Sequence, residues 1–346
     1  MKESIEKVQT LRPIVIIGAG GIVGDAHLPA YKKAGFDVQG IYDLNAQKAT
    51  TLANKFGISV VCNKLDDLIG LAVKKQCVFD MALPASAILP VLNQLPDESG
   101  VLIQKPMGDD LSQAKEILAL CRTKNLVAGI NFQLRHAPYI VEARKIIDEG
   151  LIGDLHDIDI RVNVLTPWHL WEFLYKLPRM EILYNSIHYI DLIRYFFGNP
   201  ERVFALTNKH PKMKELASTR SSIIMDYGDM IRANINTNHG HEFGTKHQES
   251  YVKFEGTKGA IKLTMGLNLN YPEGRPDEFE YICLEDGKGW RKKEIRGSWF
   301  PDAFIGPMAG LLHKMENPSY RFVNAVEDAI HTMEVVEKCY QCSDGR

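Results

Sequence analysis

Cysteine is scarce in this chain, six residues in 346, and the six are too scattered for the disulfide framework of a small secreted domain. An excess of either charge is also missing: 41 Lys and Arg stand against 43 Asp and Glu, a net of −2. A near-neutral chain has no general electrostatic attraction to nucleic acid or to an anionic lipid surface. No apolar run reaches the ~20 residues of a membrane-spanning helix; the longest of note, 14–23, is about half that and contains glycines. Met1 to Lys7 carry no apolar core of the secretory type. The expectation is a cytoplasmic protein with no nucleic-acid or membrane partner. What is present is ordinary for a globular chain, 45% apolar and 24% charged. That suffices for a sizeable core and, at ~150 residues per domain, for about two domains.

Residues 12–132 alternate short apolar runs with helical patterns, which predicts βαβ units and a parallel sheet. The runs are 14–17, 38–42, 60–61, 78–81, 101–103 and 127–130. Before the last of them Asp109 and Asp110 are placed to cap a helix with the stripe Leu111, Ala114, Ile117, Leu118 and Cys121. Beyond about residue 150 the rhythm changes. Ile158, Ile160 and Val162 alternate with Asp159, Arg161 and Asn163, and Ile231, Ala233 and Ile235 with Arg232, Asn234 and Asn236. Such alternation marks half-buried strands. Six further strand-like runs follow with few helices between them, so this half should be a large, mostly antiparallel sheet. The fold class is therefore α/β: a doubly wound Rossmann domain over 1–132, then an α+β domain over 133–346. The open face of its sheet is expected to bind substrate-domain helices or another subunit, giving a homodimer or homotetramer.

The first run leads into Gly18-Ala19-Gly20-Gly21-Ile22-Val23-Gly24 and then a helix pattern. Gly18 suits the tight turn, and Gly20 lets a pyrophosphate approach the backbone at the helix N-terminus. The third fingerprint position is Val23, with Gly24 one place late, which should loosen the packing of helix on strand. The second run ends at Asp43, whose carboxylate can accept from ribose hydroxyls and repel a 2′-phosphate, so NAD rather than NADP is the expected cofactor. No arginine follows in Leu44-Asn45-Ala46 to reverse that preference.

With these residues in view the chain resembles the Gfo/Idh/MocA oxidoreductases, the group of glucose–fructose oxidoreductase and inositol dehydrogenase. The resemblance rests on the glycine loop with Asp43, on Gln104-Lys105-Pro106, on Ile187-His188-Tyr189-Ile190-Asp191 and on Val326-Glu327-Asp328-Ala329. It implies hydride transfer between a nicotinamide and a sugar, sugar derivative or polyol. It implies that Lys105 lies near the nicotinamide and the reacting hydroxyl, with Gln104 where the pattern has glutamate. It places the catalytic histidine at His188, and Tyr184 where the pattern has an aspartate. The cofactor set becomes Gly18, Gly20, Gly21, Ile22, Val23, Asp43, Pro84 and Lys105.

Imidazole is suited to taking a hydroxyl proton near neutral pH, and Asp191, three residues on, can orient that ring or satisfy a buried helix. Arg135, Trp168 and His169 join Lys105 and His188 as expected substrate contacts. His239, His241 and His247 lack a Cys or carboxylate at ligand spacing, so no metal is expected. Cys339 and Cys342 end a helix pattern outside any redox context. Two other readings share the fold: a glycoside-cleaving enzyme that oxidises its sugar transiently, and a non-enzymatic sugar sensor.

Overall fold

The computed structural model describes residues 11–345, which divide into two compact units. The first opens with β1 (Ile14–Ile17), α1 (Leu28–Ala34), β2 (Val38–Tyr42), α2 (Ala46–Phe56), β3 (Val60–Cys62) and α3 (Leu65–Lys75). It continues with β4 (Val78–Met81), α4 (Ala85–Leu92), β5 (Gly100–Ile103), α5 (Leu111–Thr123) and β6 (Val127–Ile130). The six strands pair in parallel in the order β3-β2-β1-β4-β5-β6. This is the doubly wound order, in which the chain reverses direction between β1 and β4 and ligands bind beyond the strands' carboxyl ends. Strands β1, β4 and β5 are buried along their whole length, as a sheet covered on both faces requires. Asp110 caps α5 by accepting the Gln113 amide at 2.9 Å.

The second unit contains α6 (Pro138–Asp148), β7 (Leu155–Asn163), α7 (Ile187–Phe197), β8 (Arg202–Asn208), β9 (Arg220–Asp226) and β10 (Arg232–Asn238). Four more strands follow: β11 (Glu249–Gly256), β12 (Gly259–Thr264), β13 (Glu278–Cys283) and the two-residue β14 (Arg291–Lys292). They form one sheet ordered β14-β13-β12-β11-β7-β10-β9-β8, antiparallel except for the β7–β10 pair. Alternation sets its two faces. Ile158, Ile160, Val162, Ala233, Ile235, Ile223 and Met225 are buried, and the residues between them, polar except for Ile224, lie on the outer face.

Helix α8 (Ile305–Glu316) belongs to the first unit, which takes in Phe300–Ile330, a stretch placed in the second domain on sequence grounds. The physical reason is apolar. Phe304, Met308, Leu311 and Leu312 join Ile14, Ile16, Val78 and Leu102 in one core. The return is also hydrogen-bonded: Ile130 N–H donates to Asn324 O at 2.8 Å, and the Asn324 amide donates to Ile130 O at 3.2 Å. Gly129 is required there, because a Cβ would lie 2.3 Å from the Phe322 ring. The last helix, α9 (Val326–Asp344), starts in the first unit and ends in the second. Among the described residues no helix is long and apolar enough to cross a membrane.

Candidate functional site

In the first unit, Gly18, Asp43, Pro84 and Lys105 all follow strands of the parallel sheet, after β1, β2, β4 and β5, and so share its carboxyl edge. Gly18 has φ +108°, and a Cβ on it would sit 2.3 Å from Ala82 O, so only glycine fits. Gly20 has open space in front of it, the room a pyrophosphate needs. Asp43 braces this turn from the next strand: Ala19 N–H donates to Oδ2 and Asn45 N–H to Oδ1, both at 2.7 Å. Each oxygen keeps a further lone pair, which is what a ribose diol would use. The residues present fit a dinucleotide.

The displaced third glycine has a structural answer. Val23–His27 form a π-turn, with Leu28 N–H bonded to Val23 O, which absorbs one extra residue. Gly24 thereby takes the close-packed place: a Cβ there would meet Leu52 at 2.9 Å. The loosened packing expected from Val23 does not occur, since Val23 is itself fully buried.

The same π-turn turns His27 inward, into a buried polar chain that sequence reasoning missed. Its Nδ1 lies 2.7 Å from Asp80 Oδ2, which also accepts the Tyr31 hydroxyl at 2.9 Å. Asn131 Nδ2 lies 3.5 Å from His27 Nε2 and donates to Gln104 Oε1 at 3.0 Å. One signal was available: Asp80 interrupts an otherwise apolar run. The chain ends at Gln104, the uncharged neighbour of Lys105. Burial pulls the partly buried Lys105 ammonium down from its usual range to about 8.

In the second unit His188 is the second residue of α7, buried, with its ring perpendicular to that of Trp299 at 5.5 Å. Arg135 and Asp191, expected beside substrate and beside the imidazole, are paired with each other: Arg135 Nε donates to Oδ2 at 2.7 Å and Nη2 to Oδ1 at 2.6 Å. Thr332 adds a hydroxyl to Oδ1 at 3.0 Å. Tyr184 lies in a second π-turn, Ile182–Ser186, with its ring against Phe173 at 5.8 Å and packed on the cluster of Trp168, Leu174, Met180 and Leu216. Trp168 is buried on His239, ring centroids 5.3 Å apart, whereas His169 is exposed.

Glu181, just before that π-turn, also escaped the sequence reading. It is fully buried and accepts Ser186 Oγ at 2.7 Å, Thr237 Oγ1 at 3.0 Å and Ser221 Oγ, with His239 Nε2 at 3.4 Å. Burial opposes its charge, but the bonds from His239, Ser221 and Ser186 together hold its carboxyl below the usual range. His239 also meets Thr166 Oγ1 at 2.8 Å, and the His241 ring meets that of Phe243 edge-on. Among the described residues no group of three or more His, Cys, Asp or Glu side chains is placed to hold a metal ion.

Known proteins bear out this architecture. A family model described as an oxidoreductase family with an NAD-binding Rossmann fold matches residues 12–132, and one for the GFO/IDH/MocA C-terminal domain matches 140–262. The YceM protein of Salmonella typhimurium is 28% identical over 197 residues, 57% of this chain and 59% of that protein. Glucose-6-phosphate 3-dehydrogenase of Bacillus subtilis is 25% identical over 289 residues, 78% of this chain and 74% of that enzyme. The chain thus spans between about three fifths and three quarters of these relatives. In fold it is similar to an oxidoreductase from Agrobacterium radiobacter solved with NAD+, L-tartaric acid and magnesium, with a TM-score of 0.79 at 17% identity over 97% of this chain and 98% of that one. With both halves matched, the chain belongs to the Gfo/Idh/MocA family of oxidoreductases, and its N-terminal unit is an NAD-binding Rossmann domain.

Proposed function

We propose that this protein is an NAD-dependent dehydrogenase of a sugar, sugar derivative or polyol. The observation that carries the reading is the glycine turn braced by Asp43, with Lys105 on the same carboxyl edge of the sheet. The naming of a Bacillus subtilis relative as a glucose-6-phosphate 3-dehydrogenase supports a carbohydrate substrate. Gly18, Gly20, Gly21, Ile22, Val23, Asp43 and Pro84 would hold the dinucleotide, and Lys105 would border it. When bound, the nicotinamide supplies the hydride acceptor.

The remaining chemistry falls to side chains of this chain. Lys105, as an ammonium, bonds the substrate oxygen and polarises it. His188 takes the hydroxyl proton as the C–H bond is broken. In the reverse direction the imidazolium returns that proton to a carbonyl oxygen. The buried chain ends at Gln104, the uncharged sequence neighbour of Lys105.

The test is NADH absorbance against a panel of pentoses, hexoses, polyols and their phosphates and glycosides. Accumulation of NADH with a free sugar or polyol is expected; reaction with glycosides alone, without net NADH, would replace the reading by transient oxidation and elimination. On the substrate found, Lys105→Ala and His188→Asn should lose ~10²–10⁴-fold in kcat. Their kcat should fall more than KM rises. Tyr184→Phe should slow turnover with unchanged NAD affinity if the hydroxyl positions substrate, and do nothing if the ring only packs.

A further inference from the structure

Glu181 and Ser186 mark the two ends of the second π-turn, and their side chains are bonded across it: the Ser186 hydroxyl donates to Glu181 Oε1 at 2.7 Å. The turn winds in one residue more than an α-turn. The start of α7, with His188, is thereby rotated by ~100° relative to the chain before it. The helix ladder alone does not hold this geometry. The Leu183 amide leaves the ladder and donates to the Tyr340 hydroxyl at 3.2 Å. The direction in which α7 presents His188 therefore depends on side chains.

The carboxylate that closes the turn is itself tied to the sheet. On the inner face of β9 and β10 the buried residues Ile223, Met225, Ala233 and Ile235 are apolar. That series is broken at Ser221 and Thr237, which lie directly opposite each other. Both hydroxyls are given to Glu181, Ser221 to Oε2 and Thr237 to Oε1 at 3.0 Å. With Ser186, three hydroxyl donors converge on one buried carboxylate, as a charge taken out of water requires. His239, two residues beyond Thr237 and also buried, brings Nε2 to 3.4 Å from Oε1 and extends the connection. Its Nδ1 lies 2.8 Å from Thr166 Oγ1, and the Thr166 carbonyl accepts the Trp168 amide at 2.9 Å. One side chain thus joins the start of α7 to the segment that carries Trp168 and His169.

We propose that Glu181 is a positioning residue. By closing the π-turn onto β9 and β10 it sets the direction of the His188 imidazole, and through His239 and Thr166 it holds the segment of Trp168 and His169 to the same point. The inference rests on the function proposed above for His188. Glu181 acts through Ser186 and not on the substrate. Its effect is on the geometry of proton transfer, where a misplacement of about 1 Å costs ~10²-fold.

Three single changes in the full chain separate the two arms. Ser186→Ala removes only the bond across the turn, Thr166→Val only the hydroxyl that meets His239, and Glu181→Gln the charge. On the substrate found above, Ser186→Ala and Glu181→Gln should lower kcat by ~10–10²-fold with little change in KM or NAD affinity. Thr166→Val should raise KM more than it lowers kcat. NMR of protein labelled at its histidine rings needs no substrate: the His188 resonances should shift or broaden in Ser186→Ala and stay in place in Thr166→Val. Ser186→Ala loses a single hydroxyl, so it decides the matter if Glu181→Gln does not fold. Unchanged kcat and unchanged His188 resonances in Ser186→Ala would overturn the proposal. So would equal losses in kcat and KM in all three variants with lowered melting temperatures, the response of a carboxylate that only stabilises the fold. If wild type oxidises no sugar or polyol, it is the functional reading that fails, and the His188 resonances alone decide whether Glu181 orients the imidazole.

Discussion

Arg135 and Asp191 form a two-bond ion pair in which both side chains are almost wholly out of water, at 4% and 1% exposure. Removing one partner of such a pair leaves a buried charge without compensation, a loss of about 3–5 kcal/mol. Arg135→Ala and Asp191→Ala are therefore expected to destabilise by that amount in urea unfolding, and Asp191→Asn by less. A change within about 0.5 kcal/mol, the ordinary surface response, would mean that the guanidinium is free for substrate.

Burial sets Lys105 at about 8, below the ordinary lysine range. The ammonium is thus present below pH 8 and is lost as pH rises through it. If the ammonium is the form that polarises the substrate oxygen, kcat/KM for alcohol oxidation should fall on the alkaline side with an apparent pKa near 8. Lys105→Arg, which stays charged, should be slower at neutral pH but lack that alkaline limb. A wild-type rate that climbs through pH 8 instead would make the neutral amine the working form, a proton acceptor.

Asp43 accepts the Ala19 amide and, in the function proposed, also takes the ribose hydroxyls. Asp43→Ala should weaken both dinucleotides by loosening the turn and weaken NAD more, because the repulsion of a 2′-phosphate goes with the carboxylate. Calorimetry with NAD and NADP measures both terms. Tighter NADP binding by the wild type would contradict the assignment.

Phe204 and Ile224 sit opposite each other on β8 and β9 and are half exposed, at 50% and 53%. An exposed apolar pair on a sheet face is a natural contact between copies. Light scattering should give a dimer or tetramer for wild type at micromolar concentration, and a smaller species for Phe204→Asp or Ile224→Asp. A wild-type monomer would rule this out.

Periodicity made most of the fold legible. The six parallel strands appear where short apolar runs stood, β9 where a strand-like run stood, and β7 and β10 where apolar and polar residues alternated, because burial on both faces or on one leaves its mark in the sequence. The cofactor turn was legible because glycine at positive φ has few substitutes. What stayed hidden was set by contacts distant in sequence. Nothing local says that Asp191 meets Arg135, 56 positions away, or that Glu181 meets Ser221 and Thr237. The two π-turns were also invisible, since one extra residue in a helix leaves its composition unchanged. Yet the first of them explains both the misplaced Gly24 and the inward turn of His27.

The return of residues 300–330 to the first unit bears on how the protein is made. N-terminal domains normally fold as they leave the ribosome. Here β6, the outer strand of its sheet, waits for the bridge between Gly129 and Ala325, and the core lacks Phe304, Met308 and Leu311 until those residues are translated. Residues 134–299 must be synthesised in between, on the order of ten to thirty seconds at ~5–20 residues per second. For that interval the nascent dinucleotide domain carries an uncovered strand edge, a template for wrong pairing. Slow translation of the second half should therefore increase dependence on chaperones.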